Sequence, residues 1–485
     1  MPVSSVKSAP SAVSTLFADG APATGLLALE RNEAPVTVIQ GGTVVLADRL
    51  VPSHDVVVSE GRIQAIEPTG TRAGALSVPN ATVIDARGCY VAPGLIDIHS
   101  DYIETVASPR PSVVMDLPSA LYETDRALAA HGITTIYHSL SVYQSQIFEH
   151  KPIRLFENVM RLAGHISSLR ASETLDHLIR HRLHMRVELD AVGYFDAVEG
   201  LLREGRLDLL SFMDHTPGQG QYRDLEVFAR TIQSYRGSMS EAALRELVTS
   251  QQSAAKFSYG ELAHLASIAR EQGVALASHD DDSVEELDFM HGLGARISEF
   301  PLSLELGRRA RELGMHTLAG APNVLLGYSH SGNLSARESV CAGVADLLCS
   351  DYYPAALLQA VFTLHRHCGI PLARAFALAT LNPARAVGLD AELGELAVGK
   401  RADVLLIREL VGTGDVRGWF PRDTAAAFGD AKERDRAADL GSRASVDQDP
   451  IPVVEAVFVE GQPVFQTRYP QTGDARRAQE AREVY

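Results

Sequence analysis

No stretch of the chain approaches the roughly 18 consecutive apolar residues of a membrane-spanning helix, so a bilayer-spanning role is not expected. Cysteine is scarce. Cys89, Cys341, Cys349 and Cys368 form no Cys-x-x-Cys pair, and a chain of 485 residues needs no covalent staples to fold. Reduced thiols in a cytoplasmic setting are the simplest expectation. Positive charge is also short: 44 Lys and Arg against 61 Asp and Glu give a net charge of -17. That balance removes the basic face that a nucleic acid or an anionic membrane requires. It leaves open an anionic small molecule, because a metal or a few arginines can override the global sign locally. Walker loop, Gly-x-Ser-x-Gly elbow and HExxH helix are all missing, which argues against those chemistries. The N-terminus lacks the basic-then-apolar order of a signal peptide, and its Ala, Ser and Pro bias suggests a flexible extension over residues 1–35.

What is present is a globular composition, 46% hydrophobic and 22% charged, enough to bury a large core. Residues 36–68 carry short β-branched runs separated by glycine turns, the pattern of antiparallel strands. Similar runs return at 402–407 and 453–465, so a small β-sandwich built from residues 36–90 and 391–470 is expected. A charged stretch over about 409–450 reads as a flexible insertion in it, and 471–485 as a tail. Between these parts, over 91–390, apolar strands alternate with amphipathic helices such as 155–169 and 261–272. Candidate strands are 95–99, 133–140, 184–190, 208–213, 274–279, 295–299, 315–319 and 346–350. Eight such units favour an α/β fold, a (β/α)8 TIM barrel, over an open doubly wound sheet without its glycine fingerprint.

Chemistry in such a barrel sits at the C-terminal ends of the strands. The first expected strand ends on His99 and Asp101, which alternation points to one side. Later strand ends offer Glu188, Asp214 with His215, His279, and Asp351. Imidazole nitrogens and carboxylate oxygens are the ligand set of a divalent ion. One buried histidine alone is more often a hydrogen-bonded core residue, but five strand ends in phase make a metal site. His131, His165, His177, His181, His184, His365 and His367 are expected on helices or near their ends, while His138 and His316 stay ambiguous. The loop around His330, Ser331 and Asn333 reads equally as a phosphate-contacting loop or as an ordinary polar turn.

ProGlyLeuIleAspIleHisSerAsp (93–101), AsnProAlaArgAlaValGly (382–388) and GlyGluLeuAlaValGlyLysArgAlaAspValLeuLeuIle (394–407) resemble the amidohydrolase superfamily. Finer segments are more selective: HisSerAspTyrIleGlu (99–104), MetAspHisThrProGlyGlnGlyGlnTyr (213–222), SerHisAspAspAsp (278–282) and SerAspTyrTyrPro (350–354). They resemble the α-D-ribose 1-methylphosphonate 5-triphosphate diphosphatases of the carbon–phosphorus lyase pathway. The resemblance implies a hydrolase that releases pyrophosphate from a small phosphorylated sugar, with C–N bond cleavage as the alternative and a non-catalytic scaffold as the remote one. It implies one or two divalent ions, zinc foremost and manganese or iron next, on His99, Asp101, Glu188, His215 and His279. Asp351 would act as base, with His330, Ser331, Asn333, Arg186, Arg223 and Arg296 as substrate contacts. Two features depart from the superfamily pattern: Asp101 stands where a second histidine is usual, and Glu188 where a carboxylated lysine is common. A harder oxygen ligand tilts the site away from strict zinc preference. A homo-oligomer, most simply a dimer, is also expected.

Overall fold

The computed structural model describes residues 36–71, 81–144, 151–171, 177–236, 239–327, 334–410 and 449–467. The expected extension at 1–35, nearly all of the 409–450 insertion, and the tail lie outside these residues.

Strands from both ends of the chain join one hydrogen-bonded sheet. They are β1 (Thr37–Val45), β2 (Leu50–Ser59), β3 (Arg62–Pro68), β4 (Thr82–Asp85) and β5 (Tyr90–Pro93), with the late strands β14 (Val404–Leu410), β15 (Ile451–Val459) and β16 (Gln462–Gln466). The order is β16-β15-β14-β5-β1-β2-β3, with β4 paired to β1. Its Val- and Ile-rich face buries Ile39, Val44, Val56, Ile63, Val404 and Phe458 together, the reason two remote sequence runs share one texture.

The second sheet is parallel throughout: β6 (Leu95–Ser100), β7 (Ile133–Val142), β8 (Arg180–Glu188), β9 (Leu209–Met213), β10 (Ala275–His279), β11 (Ile297–Glu299), β12 (His316–Gly320) and β13 (Leu347–Cys349). Neighbours pair in sequence order, and a bridge between Ser100 and Asp351 brings the last strand back to the first. All eight expected strands are present, within a few residues of the positions read from the sequence. Seven of them contribute to a single cluster (Ile96, Ile98, Tyr137, Leu209, Ala277, Ile297, Leu318, Leu347, Cys349), an arrangement possible only in the lumen of a barrel. Ala384 and Leu393 join that cluster. The eighth strand, β8, instead packs Leu183, Met185 and Val187 into the outer core and alternates them with Arg182, His184, Arg186 and Glu188. β8 thus delivers a row of polar side chains, and His184 among them meets Ser139 of β7 and Ser211 of β9.

Helices start on serine caps where the sequence supplies them. Ser258 accepts from Glu261 N while Glu261 closes back on Ser258 N, a full capping box for the helix Tyr259–Glu271. Ser283 and Ser303 cap the two helices that follow. The barrel is tied to the first sheet by ion pairs: Arg180, opening β8, holds Asp403 and reaches Glu460 at 2.8 Å.

The thiols depart from expectation. Cys341 and Cys368, each closing a helix, are joined by a disulfide with Cα atoms 5.9 Å apart, while Cys89 and Cys349 are free and buried. The pair is 27 residues apart and becomes adjacent only because the two helices pack, so no short motif announces it.

Candidate metal centre

The barrel seam falls at the site itself. Asp351 N donates to His99 O (3.1 Å) and Asp101 N donates to Asp351 O (2.9 Å), so the C-terminal ends of the first and last barrel strands are locked together. Asp351 has φ 57°, as Asp280 has φ 56°, a left-handed turn uncommon for a non-glycine residue and characteristic of constrained sites.

Glu299, the last residue of β11, is the buried hub. Its Oε1 accepts from His99 Nδ1 (2.9 Å), and its Oε2 accepts from His279 Nδ1 (3.0 Å) and Ser211 Oγ (2.9 Å). The His99 and His279 rings stack at 5.3 Å. His184 completes the wall, with Nε2 2.5 Å from Ser211 Oγ and Nδ1 3.0 Å from Ser139 Oγ. Burial holds all three imidazoles well below their ordinary pKa, hence neutral. Burial would raise Glu299, but the His184 and His279 imidazoles outweigh it and hold it down as a carboxylate.

With Nδ1 of His279 fixed by a carboxylate, Nε2 is the nitrogen presented to the opening. His215 is arranged the same way: Glu188 Oε1 takes its Nδ1, and Glu188 Oε2 accepts from His215 N at 3.1 Å. His215 Nε2 and His279 Nε2 then meet Asp280 Oδ2, at 3.3 Å and 3.6 Å. These three donors form a compact group able to hold a metal ion. Burial would lower His215, but Glu188 and Asp280 outweigh it and raise its pKa to about 10.

Across the opening, Asp351 is raised to about 7 and Asp101 to about 6, by burial first and then by neighbouring carboxylates, which are Asp101 for the former and Glu104 for the latter. Crowded carboxylates beside two imidazole nitrogens make a site that positive charge would relieve, and the mixed N and O donors fit a divalent ion of the zinc or manganese type. Arg186 partly answers that need. A terminal nitrogen lies 3.1 Å from His279 Nε2, and its buried Nε has no hydrogen-bond partner among the described residues.

The structure therefore brings together His99, Glu188, His215, His279, Asp351 and Arg186 at one end of the barrel, with Asp101 on the rim beside Arg154. It does not bring Arg296, which precedes β11 and donates to Ala295 O at the opposite end. Arg223 is exposed after the turn Gly220–Tyr222. Asp214 is turned to Lys256 at 2.6 Å. His330, Ser331 and Asn333 lie outside the described residues. Sequence reading missed Glu299 although it ends an expected strand, and missed Asp280 because alternation assigns it the face opposite His279. His184, expected near a helix, lies inside β8, which starts at Arg180.

A profile of the amidohydrolase family matches residues 221–462. The chain is 33% identical over 372 residues to α-D-ribose 1-methylphosphonate 5-triphosphate diphosphatase of Escherichia coli K12, covering 76% of this chain and 94% of that protein. It is 25% identical over 375 residues to imidazolonepropionase of Symbiobacterium thermophilum, covering 74% and 84%. Among solved structures, dihydropyrimidinase from Brevibacillus agri aligns with a TM-score of 0.53 at 14% identity, covering 89% of this chain and 95% of that one, a likeness of fold.

Proposed function

The chain belongs to the amidohydrolase family, and from that premise we propose that it is a metal-dependent hydrolase releasing pyrophosphate from a 5-triphosphorylated ribose carrying a phosphonate at carbon 1. The observation that carries this reading is the 33% identity spread over 94% of the E. coli diphosphatase. The site's chemistry supports it: acidic donors for a cation stand beside Arg186, a guanidinium with a buried N–H that none of the described residues accepts, suited to a phosphoryl oxygen.

His215, His279 and Asp280 are the proposed ligand core, with His99 and Asp101 able to complete it and Glu188 orienting His215. One or two divalent ions bound there would supply Lewis acidity and neutralise phosphoryl charge. Asp351, with its pKa raised to about 7, is placed to accept the proton of the attacking water. Attack at the α-phosphorus forms one P–O bond, breaks the bond to the β-phosphate oxygen and expels pyrophosphate, while Arg186 binds a non-bridging oxygen. A cytoplasmic homo-oligomer goes with this reading. Among the described residues no helix is long and apolar enough to cross a membrane.

The test is to incubate metal-loaded protein with ribose and nucleoside 5-triphosphates and, separately, with hydantoin and dihydroorotate. Pyrophosphate from the triphosphates is the expected result. Ring opening without pyrophosphate would instead support the C–N hydrolase reading that the imidazolonepropionase likeness favours.

A further inference from the structure

After β7 the chain comes back to the rim through Lys151 and the 3₁₀ turn Pro152–Arg154. Arg154 Nε donates to Glu104 Oε2 at 2.7 Å, and a terminal nitrogen lies 3.7 Å from Asp101 Oδ2. Glu104 is almost wholly buried, its side chain 5% exposed, whereas that of Arg154 keeps 25% of its surface open. The carboxylate therefore holds the Nε edge of the guanidinium, while its terminal nitrogens stand beside Asp101 and the Tyr143 hydroxyl with a quarter of the side chain's surface still open. Arg154 beside Asp101 and Arg186 beside His279 stand at the same end of the barrel. Positive charge in a protein of net charge -17 is thus gathered at this mouth. A guanidinium fixed by a buried acid loses little freedom when it binds a second anion, and its planar fork matches phosphate or phosphonate oxygens.

We propose that Arg154 is a specificity-determining residue that binds an anionic phosphorus–oxygen group of the substrate away from the attacked phosphorus, and that Glu104 is the positioning residue that aims it. This rests on the phosphohydrolase reading above. The rival account makes Arg154 only the counter-ion that keeps Glu104 buried.

Four variants of the metal-loaded protein separate the two: R154M, R154K, E104Q and the double variant R154M/E104Q. Each is assayed for thermal midpoint, for kcat and KM with ribose 5-triphosphate, and for calorimetric affinity toward inorganic tripolyphosphate. R154M is expected to raise KM and weaken tripolyphosphate binding by at least about tenfold, with kcat changed far less, as expected for a lost charge-assisted contact. E104Q should give a smaller loss in the same direction. The double variant, free of the unpaired buried acid, should regain thermal stability and keep the tenfold binding defect, and R154K should recover part of it. Recovery of both stability and tripolyphosphate affinity in the double variant would overturn the proposal, as would unchanged affinity in R154M. Should the wild type bind tripolyphosphate yet release no pyrophosphate, the proposed reaction fails while the dependence of that affinity on Arg154 still decides this inference.

Discussion

Three buried residues of the site differ in protonation state. Asp351 can take a proton only when ionised, and burial together with Asp101 raises its pKa to about 7. Turnover should therefore rise with pH through a limb at or below about 7, since a bound divalent ion favours the carboxylate and moves the limb down. Asp351→Asn should keep metal content and thermal midpoint while losing roughly 100-fold or more in kcat, the usual contribution of a general base. A fully active variant would move the base elsewhere. His215 behaves oppositely. Glu188 and Asp280 overcome burial and raise it to about 10, so it is protonated at neutrality and its Nε2 must shed a proton to hold a metal. Metal binding should release about one proton per site at pH 7, with affinity rising as pH rises, measurable by titration in buffers of different ionisation enthalpy. Metal uptake without proton release would exclude His215 as a ligand. Glu299 stays ionised between neutral imidazoles, and with His99 and His279 it makes a second buried donor group close enough to hold a metal ion.

The strands were legible because each is an apolar run that stops at a polar residue, and β6, β10 and the segment after β13 display His99, His279 and Asp351 where the run stops. Two elements resisted. β11 spans only Ile297–Glu299, too short for Glu299 to stand out by periodicity. At Asp280 the left-handed backbone returns to the site a side chain that strand alternation sends away. β8 begins earlier than its apolar residues suggest because its first residue, Arg180, is held by ion pairs to Asp403 and Glu460 rather than by apolar packing. Asp403 is nearly buried, its side chain 6% exposed, so Arg180→Met should cost about 3 kcal/mol by leaving an unpaired buried charge, read as a lower denaturation midpoint. An unchanged midpoint would mean the pair is solvated. The disulfide between Cys341 and Cys368 closes a 27-residue separation. In the chain-entropy account it contributes about 3.6 kcal/mol, so reduction should lower the thermal midpoint of the wild type and leave Cys341→Ser unaffected.

Across the whole molecule, the seam that closes the barrel is also the place where the first and last strands present Asp101 and Asp351, so fold closure and site assembly are one event. A chain with a strong negative charge keeps Arg154 and Arg186 next to the acids they would share with an anionic substrate. The measurement that bears most directly on phosphoric anhydride hydrolysis is turnover of ribose 1-methylphosphonate 5-triphosphate by the metal-loaded protein in 18O-labelled water, followed by 31P NMR. One labelled oxygen in the sugar 5-phosphate and unlabelled pyrophosphate is the predicted result. Label in pyrophosphate would contradict attack at the α-phosphorus, and an unchanged triphosphate with hydantoin or dihydroorotate opened instead would contradict the reaction itself.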